Sequence, residues 1–447
     1  MPDPPYILGI GVRVAETSAV AFGRYLRELR ERRGLSLARV CELSRGSPEA
    51  MDKGTLSRLE RGQQTPSIFR LGPLSRIYEI SADALIERME LDRDVDRTGG
   101  PDTGGKSYEE LHEAGASAVI HANRKWEAYA CFRDARPLAP PEKTIPAWVN
   151  VITANRALGK DALALHELRE LAGRDELTPL HRAIVHERMS GCCRCLGEMA
   201  RAEEHADRAI AQARLLDDPR TLAYALCTRA GAAVDQEQWP AASRLLLEAL
   251  ATYRAAAARR SQLLPSPSFE AQTTLMLAEC SIQLGSLARA RRLIVSAQHL
   301  AQQHELPMSL AYSELLLGWI DDAAGRPVRA LDRWRRAAAL AARIDDQRLM
   351  FAAEVEIFRQ AVTAGEANRA RACRRRLERL APWIPKHIPA YQRYKRLTED
   401  SRKGDDRVHQ RDVASFAARG RAGRGAGLRA DARRQPQPAR SPDPESD

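Results

Sequence analysis

The sequence predicts an all-α protein: a small five-helix domain followed by a long α-solenoid of helical hairpins. Three observations predict it. Aromatic residues make up only 5% of the 447 residues, and alanine, leucine and arginine dominate, a composition that favours helices over sheets. Apolar positions in the first hundred residues recur at i, i+3, i+4 and i+7, the stripe of an amphipathic helix. Residues 146–383 repeat themselves at intervals near forty residues. A chain of this length holds two or more domains with ample core.

The first helix is read from Phe22, Tyr25, Leu26 and Leu29, with arginines on its other faces and Gly34 stopping it. Ser36 is placed to cap a second helix carrying Leu37, Val40, Cys41 and Leu43. A turn rich in Gly, Ser and Pro follows at 45–51. In the third helix Leu56 and Leu59 lie three apart and point inward, leaving Ser57, Arg58 and Arg61 on the remaining faces. Gly62 is placed to end that helix in a left-handed conformation, and Ser67 to cap the next after the Pro66 break. A fourth helix carries Leu71, Leu74, Ile77 and Tyr78, with Ile80 after it, and a fifth opens at Ser81–Ile86. The third helix is thus expected to offer small polar and cationic groups to a base edge. An arginine can donate two hydrogen bonds to guanine, which makes Arg58 the base-reading candidate. Lys53 and the helix N-terminus are expected to favour phosphate, positioning the domain without reading sequence.

These residues carry a family resemblance. The runs Leu29–Ser36 and Leu56–Gly62, with Pro66-Ser67, resemble the Cro/CI-type helix-turn-helix of the XRE family over residues 21–88. The resemblance implies a lambda-repressor-like fold and a double-stranded DNA partner. It implies that Arg30 pairs with Glu60, tying the first helix to the third. It places the recognition positions on Asp52, Lys53, Gly54, Thr55, Ser57 and Arg58, to which the helical spacing adds Arg61. The sequence departs from the pattern twice. Leu37 stands where the family usually has glutamine, and the 45–51 turn holds about five residues more than usual.

In the repeat region a glycine between two helical runs recurs at Gly159, Gly197, Gly285, Gly325 and Gly365. Five residues after each comes an alanine: Ala164, Ala202, Ala290, Ala330 and Ala370. A sixth unit has Glu237 in place of the glycine and keeps the alanine at Ala242. A small residue on the inner face of a second helix lets it approach the first closely, and hairpins that cannot bury that face alone must stack. Seven positions on, Ala209, Ala249, Ala297 and Ala337 continue the face, with leucines at 171 and 377. The pattern resembles tetratricopeptide repeats, best seen from Tyr312 to Ala337 with Gly318 and Trp334 in pattern positions. Together the two modules resemble transcription regulators whose repeat superhelix binds a short signalling peptide and mediates dimerisation. That resemblance implies a homodimer on a palindromic site, with a peptide or protein effector in the groove. A reading of a different class is a protein–protein scaffold with a helix-turn-helix that no longer binds DNA.

The segments around these modules read as an N-terminal extension (1–20), the DNA-binding domain (21–92), a flexible linker (93–106), the solenoid (107–383) and a basic, mostly disordered tail (384–447). The net charge is +11. Counted by segment, residues 20–90 hold thirteen basic against ten acidic side chains and residues 401–447 eleven against seven, which spreads the excess without a concentrated patch. No span has the apolar length of a membrane helix, and the start lacks the features of a secretion signal, so the cytoplasm is the expected location. Eight cysteines then read as reduced thiols. Cys192, Cys193 and Cys195 lie on one helix without a facing second pair, and His181 and His186 are five apart, so neither set reads as a metal site. The glycine-rich run 420–427 has neither the preceding strand nor the Lys-Ser/Thr of a phosphate loop. No nucleophile–base or paired-carboxylate arrangement is apparent, so neither an enzyme nor a cofactor is expected.

Overall fold

Phe22, Tyr25, Leu26 and Leu29 are buried on one side of α1 (Ser18–Arg32), as their spacing predicts. The computed structural model describes residues 18–98, 101, 103–120, 124–258 and 267–399. The helix begins at Ser18, so the end of the expected 1–20 extension belongs to the domain; residues 1–17 lie outside the described residues. Ser36 caps α2 (Leu37–Ser44), its hydroxyl accepting from the Arg39 N–H at 3.2 Å. Within α2, Val40 is buried whereas Leu43 is exposed. Then come α3 (Lys53–Glu60), α4 (Ile68–Ile77) and α5 (Ala82–Thr98). Ser67 holds the N-cap position of α4, but its hydroxyl makes no capping hydrogen bond.

The fifth helix corrects the expected linker. It continues to Thr98, so 93–98 are helical and carry the chain straight into the repeats. Leu91 is fully buried and Val95 packs on the same core, one turn apart. That core runs without a break from Phe22 and Leu29 through Leu91 to Tyr129, Val151 and Leu163. Charged groups at the joint are paired. Arg88 donates to Asp92 at 2.9 Å and lies over the Tyr25 ring, 4.8 Å from its centroid. Lys160 bonds Glu90 at 2.8 Å, and Glu87 accepts from the Leu163 N–H at 2.7 Å. Arg32 pairs with Glu170. The five-helix domain is therefore packed on the solenoid, not tethered to it.

The solenoid opens with α6 (Tyr108–Ile120) and α7 (Lys125–Ala135) and continues as hairpins. These are α8 (Thr144–Ala157) with α9 (Asp161–Ala172), α10 (Pro179–Leu196) with α11 (Met199–Leu215), and α12 (Pro219–Asp235) with α13 (Trp239–Ala258). There follow α14 (Pro267–Gln283) with α15 (Leu287–Gln303), α16 (Pro307–Ala323) with α17 (Pro327–Arg343), and α18 (Gln347–Thr363) with α19 (Ala367–Leu380). No strand occurs among the described residues. The alanines of the repeat are its seams: Ala164, Ala202, Ala242, Ala290 and Ala330 are fully buried, while Ala370, in the last unit, is half-buried. The intra-hairpin turns need a left-handed residue, and the unit without glycine obtains it from Glu237, at φ 57°. Gly318 lies beneath the buried Trp334 indole, where any Cβ would overlap the ring. Cys192 and Cys193 are buried in the packing between hairpins.

The solenoid also extends past its expected end. Ile384 is buried, Tyr391 stacks on Phe351 with centroids 6.0 Å apart, and His387 stands where any side chain at Gly197 would point. The backbone is helical again at 389–399. The start of the expected disordered tail, 384–392, is thus part of the repeat array, because apolar and aromatic side chains there find the last repeat; residues 400–447 lie outside the described residues. Arg348 of α18 donates to the Cys195 thiol at 3.3 Å and faces Asp161 at 3.8 Å, returning the sixth hairpin to the first two.

Candidate nucleic-acid interface

The third helix owes its position to three contacts. Glu60, at its last turn, receives both Arg30 Nε (2.6 Å) and Arg30 Nη2 (2.9 Å), a bidentate pair whose guanidinium also donates to the Leu35 carbonyl at 2.9 Å. The pair expected from the family resemblance is therefore formed. Gly23 of α1 lets the first helix approach so closely that a Cβ there would stand 2.8 Å from the Glu60 carbonyl oxygen. Gly62, at φ 66°, ends the helix against the backbone of Val20. Of these three, sequence reasoning missed Gly23; its only signal was a glycine in mid-helix.

The long turn is held closed as well. Ser44 Oγ donates to the Cys41 carbonyl at 2.8 Å and accepts from the Met51 N–H at 3.0 Å. Met51 is itself buried in the core. The extra residues bulge outward between these two anchors, and α3 still starts from a fixed point. Asp52 is the N-cap: its carboxylate accepts from the Thr55 N–H at 2.5 Å, which holds the Asp52 carboxyl below its ordinary range.

The recognition positions divide into two groups. Lys53, Gly54, Arg58 and Arg61 are exposed and Ser57 is half-buried, all on the outward side. Arg61 Nε donates to the Ser57 carbonyl at 3.1 Å. Thr55 is buried instead, and its hydroxyl accepts from Arg58 Nη2 at 3.2 Å. It orients the arginine rather than presenting itself. Arg58 consequently runs back along the helix over Gly54, where a Cβ would stand 3.4 Å from its Nη1. The positive end of α3, expected to take a phosphate, already holds the Asp52 carboxylate. What remains outward is a compact cationic and hydroxylic surface built on one rigid helix.

This geometry defines a class: a helix-turn-helix carried on a helical solenoid. Residues 21–89 match the family described as "Helix-turn-helix domain", and the segment is a helix-turn-helix of the XRE-like kind. No curated protein sequence matches the chain. Among solved structures it is similar to Bacillus thuringiensis PlcR in complex with the peptide PapR7 and DNA, at 16% identity over 67% of this chain and 99% of that one, with a TM-score of 0.40. The Rap conjugation gene regulator of plasmid pLS20, in complex with the Phr* peptide, is similar at 13% identity over 85% and 97% of the two chains, with a TM-score of 0.48. The apo form of the competence regulator ComR from Streptococcus vestibularis matches at 12% identity over 77% and 99%, with a TM-score of 0.34.

Proposed function

We propose that the protein is a sequence-specific, double-stranded-DNA-binding transcription regulator without enzymatic activity. The observation that carries the reading is the outward face of α3, where Lys53, Ser57, Arg58 and Arg61 are open while Arg30–Glu60 fixes the helix that bears them. Arg58 reads a base, with Thr55 fixing its guanidinium. Lys53 and Arg61 contact phosphate. The solenoid binds an effector, a peptide or protein, and joins two copies so that two reading helices meet two half-sites. An effector then acts through the shared core at the joint, by favouring one arrangement of the reading helices over another. In keeping with a cytoplasmic regulator, no helix among the described residues is long and apolar enough to cross a membrane.

The test is selection of bound fragments from random duplexes with the full chain, followed by mobility shifts. The wild type should enrich a two-fold site. Arg58→Ala should relax preference at one base pair per half-site and cost about 1–3 kcal/mol there. Enrichment of no sequence at all would overturn the regulator reading. Enrichment with Arg58→Ala indistinguishable from wild type would remove Arg58 from its role.

A further inference from the structure

Counted along the chain, the basic excess looks dispersed; folding sorts it. The second helices of successive hairpins carry a rising charge. In α9 there are three acidic residues against one arginine, and in α11 three against three. In α13 there are two arginines against one glutamate, and in α15 three arginines against no acid. In α17 there are five against one aspartate, and in α19 six against one glutamate. The last three second helices contain no lysine.

Each of these helices buries its small-residue seam in the solenoid, so its opposite face points out. The forty-residue register then stacks the outward positions into columns. Arg289 and Arg329 share one, a residue before the seam alanines Ala290 and Ala330. Arg335 and Arg375 share another. All four are exposed, and none has a hydrogen-bond or ion-pair partner among the described residues. Arginines nearer the first helices differ: Arg333 and Arg336 are paired with Glu314, and Arg376 with Glu354. Arg333, Arg336 and Arg376 are thus compensated from the first helices, whereas Arg289, Arg329, Arg335 and Arg375 on the outer face are not.

We propose that the outer face of α15, α17 and α19 is a second duplex-DNA surface, which grips phosphates without reading bases. Charge complementarity selects a polyanion, and guanidinium forks match phosphate oxygens. A membrane surface fits less well, because the large apolar side chains of these helices (Ile294, Trp334, Leu377) are buried and only the small Val295 and Val328 are exposed, too little to insert. The choice of DNA rests on the proposed function above, since that is the polyanion the other end of the chain engages.

The test uses the full chain and a random-sequence duplex of about 60 base pairs, with affinity measured by fluorescence anisotropy from about 50 to about 200 mM salt. Each phosphate contact contributes about 0.9 to the slope of log affinity against log salt. The combined variant Arg289→Gln, Arg329→Gln, Arg335→Gln, Arg375→Gln should lower the slope by about 3–4 and weaken low-salt binding at least about tenfold. Its circular dichroism melt should match wild type, since no native contact is removed; if it melts early, the pair Arg335→Gln, Arg375→Gln should lower the slope by about 2. Arg58→Ala should move this slope by less than about 1. An unchanged slope in the folded variants overturns the proposal. So does an unchanged slope accompanied by loss of binding to phosphatidylglycerol vesicles, which would assign the face to a membrane. A wild type that shows no sequence preference would refute the regulator reading, while the slope comparison on random duplex would still decide this face.

Discussion

Arg30 and Glu60 do for the reading helix what no apolar contact does: they fix its rotation. Leu56 and Leu59 hold α3 against the core, but two leucines allow the helix to roll. A bidentate fork to a side chain in its last turn does not. Both side chains are nearly inaccessible, at 12% and 8% exposure, so removing one strands the other. Arg30→Ala should therefore destabilise the chain by about 3 kcal/mol, read as a lower urea midpoint, and should weaken DNA binding even though Arg30 faces away from the reading surface. Binding at wild-type strength in the variant would show that α3 is held by its leucines alone. The pair was legible in the sequence only through the family pattern; thirty residues separate its members, and nothing local announces it. Thr55 is the opposite case. It precedes Leu59 by four residues and so shares the buried face, a spacing already visible in the sequence, yet the recognition pattern placed it outward.

At the scale of elements, the glycine–alanine rhythm was legible because both residues are conformational necessities. A left-handed turn selects glycine and a close helix crossing selects alanine. Gly325 has φ 70° and open space around it, so Gly325→Ala isolates the backbone effect from any clash. It should cost about 1–2 kcal/mol, seen as a lower melting temperature with unchanged helical content. No change would mean that the turn relaxes to another conformation. The turns between hairpins were not legible. Asp217, Glu305 and Asp345 are left-handed there, each eight residues after a seam alanine; aspartate tolerates that conformation, but neither it nor glutamate demands it as glycine does. The register of the repeat imposes their conformation, so the information lies in the spacing and not in the residue. The open end of the array misled for a different reason. Tyr391 and Ile384 look like isolated apolar residues in a polar tail, yet Phe351 of the last hairpin stacks on Tyr391 and Ile384 is buried.

For the whole molecule, what counts is that reading domain and solenoid share one core. The composition of 93–106 suggested a linker because its charges and glycines are scattered. The strip formed by Leu91 and Val95 was too short to stand out against them. Glu87 probes the joint directly. Glu87 is half-buried against the start of α9, where desolvation pushes its pKa from the ordinary 4.5 up to about 7, despite the Leu163 and Ala162 N–H groups that favour its charge. The folded chain then holds this proton to a higher pH than the unfolded chain does. Between 4.5 and 7 the native state binds more protons, so this group's contribution to stability is full below 4.5 and is lost as pH rises through about 7. Glu87→Gln removes that loss, because the amide stays neutral and its oxygen can still accept from Leu163. His186, pushed down to about 4 by burial and by its stacked neighbour His205, gives the opposite slope between 4 and 6.5, but it does so in both proteins and cancels in the difference. The melting temperature of Glu87→Gln minus that of wild type should thus be near zero at pH 4.5, grow as pH rises to about 7 and level off by pH 8. A difference that stays flat across this range would mean that Glu87 is solvated. The joint would then be open in solution, and the reading domain would move independently of the repeats.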